Sequence, residues 1–181
     1  MVVTEKKMEK IEFEGEVYYI NKNIFYDSCF MQVSKEVSAK LAAHYLKGVD
    51  INTLHRDQLL EHIKKLKNME EYAACVSAIY KGLKIYQDIP LIKDVLPILT
   101  SCYRSMGRPQ DAISVAKEYL RDYECGSIPL YTSMAAAFCD VGNYEEAKKY
   151  AGVAYAQQGG GVGYKNELSL VYERIHREFD D

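Results

Sequence analysis

Several things are missing from this chain of 181 residues. It has no apolar run of about 18 residues or more, so nothing in the sequence reads as a membrane-spanning helix. Its opening stretch, "MVVTEKKMEK", is charged and lacks the apolar centre of a secretory signal. No Cys-x-x-Cys pair occurs. The five cysteines, Cys29, Cys75, Cys102, Cys125 and Cys139, are odd in number and widely spaced. Free thiols in a reducing cytoplasm are the simplest reading, and the expected location is cytoplasmic. A positive excess is absent as well, since the net charge is −3. That argues against a nucleic-acid partner held by phosphate neutralisation. The basic cluster "HIKKLKN" at 62–68 is short and reads as a solvated helix face.

Patterns that carry chemistry are also lacking. His44, His55, His62 and His176 form no His-Glu-x-x-His and no ligand spacing with the cysteines. Ser101-Cys102 falls on an expected helix, not on a strand-to-helix elbow that would expose a nucleophile. Glu70/Glu71 and Glu145/Glu146 open helices, where the positive dipole end accounts for them. No cofactor, metal or catalytic group is expected, and the chain is read as not an enzyme. The glycines of "QQGGGVG" at 157–163 raise one counter-reading, a phosphate-cradling loop ahead of a helix. Counted from Gly159, Gly161 fits G-x-G-x-x-G, but Tyr164 stands in the third place, and no Gly-Lys-Ser/Thr is present. These glycines therefore read as a helix end and turn.

What is present is ordinary globular composition, 48% hydrophobic and 27% charged, and a repeat. "LPILTSCYRSMGRPQDAISVAKEYLRDY" at 96–123 aligns with "YTSMAAAFCDVGNYEEAKKYAGVAYAQQ" at 131–158 at an offset of 35. Tyr103 matches Phe138, Gly107 matches Gly142, and Ala112 and Ala116 match Ala147 and Ala151. Upstream, Leu66, Tyr72, Cys75, Ile79 and Gly82 fall in matching places at an offset of 37; downstream, Leu168, Ser169 and Tyr172 do so at 34.

Each unit reads as two helices. Leu96, Leu99 and Tyr103 share one helical face. Gly107 stops the first helix and Pro109 suits the first turn of the second. Ala112, Ile113, Ala116, Tyr119 and Leu120 form the second helix's buried stripe. Asn143 is the expected N-cap in the next unit. Pro97 would be harmless if Asp94 capped its helix, since it would then lie in the first turn. The small residues Cys75, Ala112 and Ala147 mark where paired helices approach closely, with Tyr103 and Phe138 filling the space beside them.

These residues resemble the tetratricopeptide repeat, a helix–turn–helix unit of about 34 residues. "MAAAFCDVGNYEEAKKYAGVA" carries the resemblance best, and "LTSCYRSMGRPQDAISVAKEY" next. The chain departs from the pattern in having no tryptophan and in placing Thr100, Ala135 or Ser169 where a first-helix glycine is usual. The resemblance implies an all-α fold, a right-handed α-α superhelix. Residues 32–181 are expected to form this domain, with an N-terminal helix at 32–47, repeats at 55–88, 91–124 and 128–160, and a capping helix at 164–179. Helix 32–47, capped by Ser34, is expected to cover the first repeat. Residues 1–31 stand apart: Ile11/Phe13 and Val17/Tyr19 alternate as in strands, and "NKN" at 21–23 suits a turn. A small β-hairpin packed on the array is expected there.

The resemblance further implies a non-enzymatic protein–protein interaction module that holds a peptide or partner helix in its concave groove. By alignment, that groove draws Leu60, Lys64, Lys67 and Asn68 from the first pair. The second pair gives Pro97, Ser101, Arg104 and Ser105, and the third gives Thr132, Ala136, Cys139 and Asp140. The basic members cluster toward the N-terminal half, which suits an acidic or carboxylate-bearing partner. A subfamily's full chaperone-tail clamp is not supported, because Thr132 and Ala136 stand in the third pair. No nucleic acid and no membrane are expected as partners, and no motif encodes an oligomeric state. Two alternatives use the same array: a small helical chaperone for a client, and a structural homo-oligomer with residues 10–31 as an arm.

Overall fold

The computed structural model describes residues 8–21, 23–158 and 166–179. The chain divides into two compact units at Asp50/Ile51.

The first unit is a three-stranded antiparallel sheet with one helix. β1 (Glu9–Phe13), β2 (Glu16–Asn21) and β3 (Ile24–Tyr26) lie in the order β1-β2-β3. The expected hairpin is present and gains a third strand. Glu14 and Gly15 both take positive φ, the conformation a two-residue hairpin turn requires. Ile11 pairs with Tyr18, and Ile20 with Phe25. α1 (Lys35–Lys47) begins at Ser34, whose hydroxyl accepts from the Val37 amide at 3.3 Å. Ile11, Ile20, Phe25 and Leu41 form the core, with Phe13, Tyr18, Val37 and Tyr45 around it. β2 gives Tyr18 and Ile20 to this core. Helix 32–47 belongs to the same unit as the sheet. Three short strands cannot bury one apolar face unaided, and Leu41 supplies the cover.

The second unit opens with a 3-10 turn at Ile51–Thr53 and continues as three helix pairs and a last helix. The pairs are α2 (Arg56–Asn68) with α3 (Tyr72–Tyr86), α4 (Ile89–Ser105) with α5 (Pro109–Asp122), and α6 (Ile128–Asp140) with α7 (Tyr144–Gln157); α8 (Asn166–Phe179) follows. The described architecture is all-α repeat with the small N-terminal sheet. Cys75, Ala112, Ala116, Ala147 and Ala151 are fully buried. Gly82 meets the same demand, because a Cβ there would lie 2.5 Å from Leu59 Cδ2.

The inter-helix turn repeats in atomic detail. The amides of Gly107 and Arg108 donate to the carbonyls of Arg104 and Tyr103, at 2.9 and 2.8 Å. Gly142 and Asn143 do the same toward Cys139 and Phe138, and Glu70 and Glu71 toward Lys67 and Leu66. Each is a Schellman turn needing a left-handed residue. Gly107 and Gly142 satisfy that freely (φ 71° and 73°), whereas Glu70 is forced to φ 60°. Asn143 Oδ1 then caps α7 through the Glu146 amide at 3.2 Å, and Pro109 opens α5.

One helix starts earlier than expected. The N-cap of α4 is Asp88, not Asp94: Asp88 Oδ1 accepts from the Leu91 amide at 2.7 Å. Pro97 therefore sits inside a helix of 17 residues. The signal was the start sequence itself, Asp88-Ile-Pro-Leu91, which recurs as Ser127-Ile-Pro-Leu130 at the start of α6. α6 has 13 residues, so α4 carries one extra turn, and a constant offset of 35 places its beginning too late. Asp94 instead lies 3.7 Å from Arg56, which also reaches Asp88 at 3.4 Å and ties α2 to α4.

Candidate functional site

The first helices of successive pairs and α8 enclose a groove of about 740 Å³. α2 contributes Lys67, α4 Pro97, Ile98, Ser101 and Arg104, and α6 Pro129, Thr132, Ser133 and Ala136. α8 supplies a full wall: Glu167, Leu170, Val171, Glu173, Arg174 and Arg177. A second, open cleft of about 450 Å³ adjoins at Arg104, with Ser105, Gly107, Pro109 and Asp140.

Six residues named from the sequence line the larger groove: Lys67, Pro97, Ser101, Arg104, Thr132 and Ala136. Ser105 and Asp140 line the smaller cleft. Leu60, Lys64 and Asn68 line neither, and Lys64 is engaged with Glu61 at 3.0 Å. Cys139 lies in the core, where burial pushes its thiol up from the ordinary range. The α8 wall was missed because a terminal helix reads as a cap, with Leu168, Val171, Tyr172 and Ile175 facing inward. Leu168, Val171 and Ile175 are buried and Tyr172 is half-buried. Yet Leu170, on the neighbouring face, is 59% exposed, and the same face carries Arg174 and Arg177.

The polar linings have definite partners. Thr100 Oγ1 sits 2.9 Å from the Pro97 carbonyl and 2.8 Å from Ser133 Oγ, so donating to the first leaves it free to accept from the second. Thr132 is buried and its hydroxyl donates to the Ile128 carbonyl at 2.8 Å. Asp140, at the end of α6, is held from two sides. Arg104 Nε reaches Oδ2 at 2.6 Å and Arg174 Nη2 reaches Oδ1 at 2.8 Å. Among the described residues, Lys67 and Arg177 form no such pair. Lys67, Arg104 and Arg177 each lie in the last turn of their helix, where the dipole favours cations. Pro129 and Glu167 lie in the first turns of theirs. The groove thus has a basic end and an apolar end built around Ile98, Pro129 and Leu170.

Two solved structures share this arrangement of helices. One is the tetratricopeptide domain of Sgt2 from Aspergillus fumigatus, at a TM-score of 0.57 and 15% identity, covering 69% of this chain and 79% of that one. The other is the C-terminal tetratricopeptide-containing domain of an FK506-binding protein from Plasmodium falciparum, at 0.51 and 14%, covering 73% and 100%. The chain has a tetratricopeptide-like fold. No protein-family model and no curated protein matches the sequence.

In tetratricopeptide terms, the groove runs along the first helix of each pair, and α8 occupies the place of a fourth first helix. The glycines at 159–163, read as a helix end and turn, lie outside the described residues. Among the described residues no cluster of His, Cys, Asp and Glu has a metal-binding arrangement. Among them also, no helix is long and apolar enough to cross a membrane.

Proposed function

We propose that this protein is a non-enzymatic interaction module, and that the groove along α2, α4, α6 and α8 holds a peptide or helix of a partner protein. The observation that carries this reading is the groove's lining. It combines half-buried Ile98 and exposed Pro129 and Leu170 with cations, Lys67 and Arg177, that form no ion pair among the described residues. Such a surface offers both burial and orientation to an extended segment. The partner segment is acidic on this reading. The residues that contact it are Lys67, Pro97, Ser101, Arg104, Thr132 and Ala136, joined by Leu170, Arg174 and Arg177 of α8. Five free cysteines, four of them buried, suit a reducing compartment such as the cytoplasm.

The test is selection of peptides from a random displayed library on the full chain, followed by titration of the selected peptides against wild type and Ile98→Trp. Trp at 98 fills the groove from its wall. Peptides that bind wild type and weaken about tenfold or more on the variant place the site in the groove. Equal binding to both proteins, with unchanged helical circular dichroism, would refute it.

A further inference from the structure

The acidic-partner reading leaves one residue unexplained. Asp140 is a carboxylate already seated between two groove arginines from different helices, Arg104 of α4 and Arg174 of α8. Arg104 and Arg174 keep 25% and 36% of their side-chain surface exposed, so both guanidiniums are partly accessible from solvent around it. One carboxylate gripped on both oxygens is the arrangement an anion site presents when occupied. Here the occupant belongs to the protein.

We propose that Asp140 stands in the place of a ligand carboxylate and competes with it, setting the affinity of the groove for acidic segments. This rests on the groove being the binding site. Lys67 and Arg177, which have no ion pair to break among the described residues, then make the first contacts with an incoming acidic side chain. Arg104 and Arg174 contribute only as far as Asp140 releases them. The occupant is a protein segment with two or more Asp or Glu side chains beside an apolar residue. The carboxylates meet Lys67 and Arg177, and the apolar residue meets Ile98, Pro129 and Leu170. Glu167, in the first turn of α8 at the apolar end, repels a segment that is acidic throughout and fixes which end carries the charge.

The inference gives opposite signs for two substitutions. Asp140→Asn keeps the shape and frees both arginines, so binding of an acidic peptide tightens. Lys67→Glu/Arg177→Glu removes the first contacts, so it weakens. The probe is a fluorescein-labelled 12-residue peptide with a leucine pair followed by four glutamates, titrated by anisotropy. A second peptide carries glutamines in place of the glutamates. The expected results are about threefold to tenfold tighter binding by D140N and about tenfold weaker binding by the double reversal. The glutamine peptide is insensitive to both, and raising salt from 50 to 300 mM reduces the gain from D140N.

A merely structural Asp140 would lower the melting temperature in D140N without tightening the peptide; that result overturns the proposal. So does a glutamate peptide that binds wild type no better than its glutamine counterpart. If library-selected peptides still lose binding to Ile98→Trp in either case, the groove survives and only the role of Asp140 falls. If they do not, the groove reading falls as well.

Discussion

Glu70, Gly107 and Gly142 hold the same place in three consecutive turns, and they separate two causes of conservation of shape. The hydrogen bonds of the turn are common to all three, while the residue type is not. A non-glycine residue in the left-handed region costs about 1–2 kcal/mol, part of which glycine gives back as lost chain entropy. Glu70→Gly is therefore expected to raise stability by about 0.5–1 kcal/mol. A urea titration checks it, and a lower midpoint would sink the idea. His62 makes a second residue-scale case. It is buried on α2, and burial first, then the nearby Lys65 charge, lowers its pKa from 6.5. Unfolded His62 takes up a proton near its ordinary pKa while the folded residue resists. Its contribution is intact above that pH, declines as pH falls from 6.5 toward the folded value, and levels off below it. The urea midpoint of wild type should therefore drop more between pH 7.5 and 5 than that of His62→Leu. Parallel curves would show that His62 is not responsible.

At the scale of elements, α4 is the informative helix. Its extra N-terminal turn places Pro97 in the interior, where the ring cannot donate to the carbonyl of Lys93. Pro97→Ala restores that bond and should stabilise the protein by about 1–2 kcal/mol, well below the full interior-proline cost because the present packing is adapted to the ring. Thermal melting of the variant decides this, and a lower melting temperature would mean that Pro97 packing outweighs the missing bond. α8 shows how one helix serves two purposes. Leu168, Val171 and Ile175 bury it against its neighbours, while Leu170, Arg174 and Arg177 face the groove. Hydrophobic periodicity reports the first face strongly and the second not at all.

On the scale of the whole molecule, the chain carries two cores. Ile11, Ile20, Phe25 and Leu41 serve the first unit, and residues such as Leu59, Leu96, Leu99, Leu130 and Met134 serve the second. Residues 51–181 alone are expected to keep their helical circular dichroism, a cooperative melt and affinity for groove-selected peptides. An unfolded or aggregated fragment would show that residues 1–50 are required. Sedimentation of the full chain and of 51–181 also addresses an exchanged arm. In this structure β1–β3 spend their apolar face on α1 of the same unit. A fragment with unchanged assembly state leaves no part for that segment in oligomerisation.

The sequence by itself determined the repeat, because close helix pairing demands small residues at fixed spacing and the turn demands a left-handed residue at its end. Cys75, Ala112 and Ala147 with Gly107 and Gly142 are the direct record of those demands. The strand alternation of residues 10–31 was legible for the same reason, a period fixed by the pleat. The start of α4 stood in the sequence too, as Asp88-Ile-Pro-Leu91, but the repeat offset hides it, since an added turn shifts a boundary without disturbing the spacing of the core residues. Tertiary structure alone decided that α1 covers the sheet, because an amphipathic helix names no particular apolar surface to cover. The charged wall of the groove belongs to the same class. Arg104, Asp140 and Arg174 come from three helices, and no local pattern marks side chains that meet only when those helices pack.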